Sequence, residues 1–151
     1  APHFIDAVSI ESPGLASSPA IADRIIEILA QSCPLEINPD AVMTREKPIV
    51  LADLSAEERN ALIRENPSYG KIICRCEQIS EGEIIDCIRR PCGARTVKGV
   101  KKRVRPGMGR CQGGFCEPKV LHILARELGI SPLDVVYGGP DSNILQSENR
   151  I

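Results

Sequence analysis

The sequence predicts a mainly α protein: a βα unit at residues 1–33, a linker with one helix at 34–68, a small helical domain at 69–139 and a flexible tail at 140–151. Three observations predict it. Helix-start signals recur along the chain, two of them capping boxes, with apolar residues at helical spacing behind them. Extended apolar runs are short and few. Six of the seven cysteines sit in one basic stretch, at predicted helix ends and in the loops between them.

The chain opens on Phe4-Ile5-Asp6-Ala7-Val8-Ser9-Ile10, an apolar run read as a strand and broken by Ser12-Pro13-Gly14. Ser18 before Pro19 is a favoured helix start. Ile21, Ile25, Ile28 and Leu29 then give that helix one apolar face before Cys33-Pro34 ends it. Such a βα unit is too short to bury its own face. Pro34, Pro39 and Pro48 make residues 34–54 an extended connection with one short strand at Ile49-Val50-Leu51. Ser55 and Glu58 form a capping box that opens a helix through Glu65, a hinge or spacer that stops before Pro67.

Lys71-Ile72-Ile73 is a short extended run leading to Cys74-Arg75-Cys76. Ser80 and Glu83 form the second capping box, and Ile84, Ile85 and Ile88 supply the buried stripe of a helix that ends at Arg89-Arg90-Pro91. A further helix is predicted at 96–103, a glycine-rich loop at 106–115 and a longer helix at 117–128 closed by Gly129. Ser131-Pro132 starts a last helical turn to about Val136. Beyond Tyr137, the Gly138-Gly139-Pro140 turn leads into a polar stretch at 141–150 read as loosely packed.

The net charge of −1 conceals an asymmetry. Residues 1–70 carry 5 basic and 11 acidic side chains, residues 71–126 carry 13 and 5, and residues 127–151 carry 1 and 4. No run approaches the roughly 18 uncharged apolar residues of a membrane span, and no basic-then-apolar leader opens the chain. Neither a membrane span nor secretion is therefore expected. The predicted compartment is the cytoplasm, with a parent protein free to lie peripherally on the inner face of a membrane. The first residue is Ala and the strand-like run follows at once, so the chain reads as a piece of a longer protein.

Four cysteines fall into Cys74-x-Cys76 and Cys111-x4-Cys116, each pair in a loop that precedes a helix. Two close pairs brought together by folding would place four soft ligands around one centre. Three chemistries compete. An iron–sulfur cluster held by four thiolates carries a net negative charge, which the basic middle would offset, with Arg75 and Arg110 next in sequence to ligands. Gly107, Gly109, Gly113 and Gly114 would let backbone N–H groups approach the sulfurs. A structural four-cysteine zinc site is the second reading, although Cys74-x-Cys76 is one residue short of the common zinc spacing. A redox dithiol or disulfide is the third, without a Cys-x-x-Cys motif to support it.

Tyr69-Gly70-Lys71-Ile72-Ile73-Cys74-Arg75-Cys76-Glu77 and Gly107-Met108-Gly109-Arg110-Cys111-Gln112-Gly113-Gly114-Phe115-Cys116 resemble the two cysteine motifs of the bacterioferritin-associated-ferredoxin-like [2Fe-2S] domain. They look most like that domain at the C-terminus of FAD-dependent glycerol-3-phosphate dehydrogenases of the anaerobic type and their relatives. The resemblance implies Cys74, Cys76, Cys111 and Cys116 as ligands. Ile10-Glu11-Ser12-Pro13-Gly14-Leu15 followed by Ser18-Pro19-Ala20-Ile21-Ala22 resembles the last flavin-contacting motif of the D-amino-acid-oxidase-type FAD fold. On that resemblance Gly14, Leu15 and Ala16 lie near the flavin of an intact parent. There a helix N-terminus would stabilise negative charge on the reduced ring. The family's Gly-x-Gly-x-x-Gly dinucleotide motif and its substrate domain are absent from these residues, so the fragment is expected neither to bind FAD nor to turn over substrate. The implied partners are the parent's own N-terminal flavin domain and a redox partner subunit or acceptor.

The remaining residues read as structural. Cys87, on the apolar face of its helix, is expected in the core, Cys92 in a loop off the cluster, and Cys33 as an incidental thiol. His122 reads as a partly buried mid-helix histidine. Lys98, Lys101, Lys102, Arg103, Arg105 and Arg110 form a basic run, but Phe115 is the lone aromatic nearby, so nucleic-acid binding by stacking is not expected. A solvated face that offsets the cluster, or docks an acidic redox partner, is the better reading. No Ser-His-Asp or Cys-His set can be assembled, which leaves hydrolytic chemistry without residues.

Overall fold

A computed structural model describes residues 4–147. The chain divides into two compact units, Ala1–Glu46 and Lys47–Ile151. His3 and the last four positions of the predicted tail lie outside the described residues.

The first unit is built on one helix, α1 (Gly14–Ala30), which starts four residues before the expected Ser18 and carries Pro19 inside it. Pro19 has no N–H to donate to the carbonyl of Leu15. The Ser18 hydroxyl donates to that carbonyl instead, at 2.8 Å, and the Ser17 hydroxyl does the same for Pro13 at 3.0 Å. The helix thus passes through a residue that was expected to begin it. The expected strand at 4–10 does not form, because an extended run becomes a strand only when another pairs with it, and no described residue does so. No residue of α1 is buried.

The second unit begins within the expected linker. Leu51–Asp53 is a 3-10 turn rather than the predicted strand: the Leu51 N–H donates to Glu83 Oε1 at 3.2 Å and its side chain is buried. Helix α2 (Ala56–Glu65) has the expected capping box, with the Glu58 N–H donating to Ser55 Oγ at 3.2 Å and the Ser55 N–H to Glu58 Oε2 at 2.8 Å. It packs against the Pro67–Gly70 turn, whose Tyr69 ring is buried against Gly82 and donates a hydrogen bond to Asp86. Residues 47–68 therefore fold with the domain.

Strands β1 (Ile72–Cys74) and β2 (Ile79–Ser80) pair antiparallel, with Ile72 opposite Ser80, Cys74 opposite Ile79 and an irregularity between. Two residues are too few to reveal β2 as a period-two pattern. Helix α3 (Glu81–Arg89) follows directly from its Ser80/Glu83 box. The buried Glu83 carboxylate accepts from the Ser80 N–H, the Ser80 hydroxyl and the Leu51 N–H, so burial leaves it satisfied. Helices α4 (Val97–Val104) and α5 (Glu117–Leu128) pack on α3. Ile84, Ile88, Val100, Val120 and Leu124 form the centre of the core between them. Gly129 closes α5 at φ +66°, the left-handed conformation that suits glycine.

The expected loose tail instead turns back on the domain. Val136 pairs antiparallel with Asn143, the Tyr137 N–H donates to Ser142 O at 2.8 Å, and Ile144 packs against the core. The polar side chains that suggested disorder are spent on the turn: the Ser142 hydroxyl accepts from Gly138 and Gly139, and Asn143 Nδ2 donates to Leu133 O at 2.8 Å. Among the described residues no helix is long and apolar enough to cross a membrane.

Candidate metal centre

Two loops carry the four expected thiols. The first is the β1–β2 hairpin, which holds Cys74 at the end of β1 and Cys76 at its tip. Gln78 adopts φ +55°, and its Nε2 donates to Arg75 O at 2.7 Å, closing the tip around Cys76. Arg105 Nε donates to Glu77 Oε2 at 2.8 Å and ties the hairpin to the end of α4. The second loop runs from α4 to α5. Gly107 and Gly113 take φ +90° and +96°, which turn the chain twice within seven residues and would strain any other residue. Cys111 lies between them, and Cys116 immediately precedes α5.

The two loops meet at Gly109. A β-carbon there would stand 2.2 Å from Cys76 Cβ, so the absence of a side chain is what lets them touch. Cys76 Sγ lies 3.9 Å from Cys111 Sγ, and Cys74 stands close enough to Cys116 to raise its thiol pKa. Each pair takes one cysteine from each loop, across the 34-residue gap of the sequence. All four line one cavity of about 320 Å³, together with Ile73, Arg75, Phe115 and Lys119.

The pairs differ in environment. Cys74 and Cys116 are 1% and 2% exposed, whereas Cys76 is exposed and Cys111 half-buried. Burial, and then Cys74 beside it, pushes the Cys116 thiol up to about 11. Hydrogen bonds from the backbone N–H groups of Phe115 and then Gly113 hold the Cys111 thiol below its ordinary value. Gly107 donates its N–H toward Cys116. Two of the four glycines expected to aim N–H groups at the sulfurs, Gly107 and Gly113, thus do so, while Gly109 makes room for the contact between loops.

The donor set suits a two-iron cluster, in which each iron takes two thiolates: four cysteines, two from each loop, line one cavity.

The other sequence candidates lie elsewhere. Cys87 is buried in the core as expected, and its thiol is pushed up to about 11 by burial. Cys92 is exposed at φ +53° and does not line the cavity. Cys33 donates to Leu29 O within the first unit. His122 is exposed rather than partly buried, because Val120, Leu121, Ile123 and Leu124 take the inward face of α5. It lines a neighbouring groove of about 460 Å³ with Lys71, Glu81, Lys119 and Arg126, larger than the cysteine cavity and free of thiols. Of the basic run, Arg105 is paired to Glu77, and Arg103 donates to the carbonyls of Gly99 and Cys92. Gly14, Leu15 and Ala16 form the first turn of α1, with Leu15 94% exposed. Lys119 at the cavity escaped the sequence reading, since nothing in its local pattern separates it from any other exposed helical lysine.

Residues 72–126 match the model of the BFD-like [2Fe-2S] binding domain, a span that begins at β1 and takes in both thiol pairs. This chain carries a BFD-like [2Fe-2S] binding domain. The chain is also 48% identical over 148 residues to a glycerol 3-phosphate dehydrogenase of Caloramator mitchellensis, covering 97% of this chain and 31% of that protein. It is 33% identical over 144 residues to one of the subunits of the opine oxidase of Rhizobium meliloti, covering 85% of this chain and 26% of that one. A shorter match, 44% over 45 residues, joins it to the hydrogen cyanide synthase subunit HcnB of Pseudomonas aeruginosa, covering 30% of this chain and 9% of that protein. No solved structure matches. The chain thus spans about a third or less of these relatives. The dehydrogenase likeness runs through both units, whereas the BFD-like domain lies wholly in the second. The domain and these oxidoreductase relatives support an iron–sulfur cofactor and an electron-transfer role, and the zinc reading finds no support among them.

Proposed function

We propose that Cys74, Cys76, Cys111 and Cys116 hold a [2Fe-2S] cluster, and that this chain is an electron relay of an FAD-dependent dehydrogenase, placed between its flavin and a partner subunit or acceptor. The observation that carries the reading is the pairing of thiols across the two loops around one cavity. When bound, such a cluster supplies one-electron chemistry, which a pair-transferring flavin needs when its acceptor takes electrons singly. The chain's own contribution is to fix the ligands and their surroundings. The β1–β2 hairpin and the glycine loop hold the thiols, Gly107, Gly113 and Phe115 direct N–H groups at sulfur, and Ile73 with the core keeps water from the inner pair. The likeness to a glycerol 3-phosphate dehydrogenase points to glycerol 3-phosphate as the parent's substrate. In that parent, Gly14, Leu15 and Ala16 at the start of α1 would face the flavin.

Anaerobic purification followed by assay of iron, acid-labile sulfide and zinc per chain tests the ligand reading. About two iron and two sulfide, with visible absorption and an EPR signal after dithionite, are expected. One zinc without sulfide, even after cluster reconstitution, would replace the relay with a zinc-stabilised interaction module. Cys111→Ala should lose the cluster, and full retention would remove Cys111 from the ligand set.

A further inference from the structure

We propose that electrons cross between this domain and its partner at the Cys76–Cys111 edge, and that the partner is a one-electron carrier protein whose docking surface is acidic. The inference rests on the cluster reading above and adds a direction and a partner chemistry to it. Electron transfer weakens steeply with distance, so the ligands nearest the surface decide where a partner must sit. Here that choice is sharp: Cys74 and Cys116 are sealed in the core, and only Cys76 and Cys111 reach the surface.

That edge is bordered by cations and by an exposed aromatic ring. Arg75 and Lys119 line the cysteine cavity and are exposed. Among the described residues neither has a carboxylate within ion-pair distance. Lys98 and Lys102 on α4 are likewise without an ion-pair partner among the described residues, so what sets the cavity rim apart is the aromatic ring beside its cations. Phe115, on the same cavity, is 81% exposed in a chain with only two phenylalanines. An aromatic left in water on a cavity that two unpaired cations also line is a good anchor for a macromolecular contact, since it can be buried while the cations select an acidic face. A small anion could pair with the cations but would leave Phe115 in water, so the carrier is a protein. Each encounter moves one electron: the domain loses one, the carrier gains one, and no bond or proton changes place.

The test uses the cluster-loaded chain, reduced with dithionite, freed of excess reductant and mixed with an oxidised haem protein while haem reduction is followed. Acidic cytochrome b5 and basic cytochrome c serve as probes of opposite charge. For the unsubstituted chain, the rate with the acidic probe should fall at least about tenfold between low and high salt, and that with the basic probe should not fall. Arg75→Glu/Lys119→Glu should slow the acidic probe by about tenfold at low salt and speed the basic one. Lys98→Glu/Lys102→Glu, on α4 and away from the cavity, should change either rate by less than about threefold. Phe115→Ala should slow the acidic probe without altering its salt dependence. Rates blind to salt and to Arg75→Glu/Lys119→Glu, or an effect carried by the α4 pair instead, would overturn the proposal. A chain that binds no iron and sulfide would overturn the cluster reading with it, whereas a loaded, reducible chain with charge-blind rates would overturn this inference alone.

Discussion

Helix α1 and helix α5 sit in different units of this chain and show what makes a helix part of a fold. The first has 17 residues and an apolar face, yet none of its residues is buried. The second has 12 residues and buries five of them, Val120, Leu121, Ile123, Leu124 and Ala125. Propensity and spacing are adequate in both, so the difference lies in what packs against the apolar side: α3, α4 and the Pro132–Asp134 turn close over α5. Most helical stability comes from such packing rather than from the helix itself.

That comparison can be broken by a pair of matched truncations. Leu124→Ala empties a fully buried position on α5 and should cost about 2–5 kcal/mol, read from urea unfolding followed by far-UV circular dichroism. Ile26→Ala, at a position of α1 that is 54% exposed, should move the same transition by less than about 0.5 kcal/mol. Equal effects would mean that α1 is packed in solution as α5 is here.

Two glycines sharpen the contrast between a residue needed by the metal centre and one needed only by a helix end. Gly109→Ala drives a methyl group into Cys76 and should cost about 1–3 kcal/mol at the thiols, roughly a 10- to 100-fold loss in cluster retention with the helices intact. Gly129→Ala meets open space but must adopt φ +66°, so it should cost about 1–2 kcal/mol of stability and leave iron content unchanged. Iron per chain and the thermal transition, measured on both variants, separate the two roles. Loss of iron from Gly129→Ala would show that the cavity depends on α5 more than on the contact between loops.

Much of the second unit was legible because its signals are local. Both capping boxes form with the predicted partners, and the ends of α3, α4 and α5 fall within about a residue or two of expectation, as a cap or a proline fixes a boundary through atoms three or four residues away. The misreadings share the opposite cause. Pro19 lies inside a helix because a neighbouring hydroxyl took over a backbone bond, and Leu51 left its expected strand because a glutamate 32 residues on claimed its N–H. Residues 141–144 turned back because Val136 and Leu133 offered partners that composition does not reveal. The four thiols were legible as a set from their spacing. Their pairing, one from each loop, was not, since it depends on Gly109 meeting Cys76 across 33 residues.

The smallest effect belongs to Glu81, at the start of α3, which joins the residue before β1 to α5 within the second unit. Its carboxylate is buried and accepts from Lys71 Nζ at 2.8 Å and Arg126 Nη1 at 2.7 Å. Burial alone would push the carboxyl up, but the hydrogen bonds from Lys71 and Arg126 outweigh it and hold the group below its ordinary value. The folded pKa thus lies below the unfolded one of about 4.3, so the stabilisation is complete above that pH and is lost as pH falls through the folded value. Both cations are largely exposed, at 69% and 53%, and solvent screening limits the contribution to about 1 kcal/mol. Glu81→Gln should therefore be about 1 kcal/mol less stable than the parent chain near neutral pH, and the gap should close in unfolding curves taken well below about pH 4. A gap that persisted there would mean that the glutamate acts through its shape and neutral hydrogen bonds rather than its charge. The exposed Arg24–Glu27 pair on α1, also at 2.8 Å, supplies the control: Arg24→Ala should leave both curves unchanged, because an ion pair in water with no buried partner contributes little whatever its length.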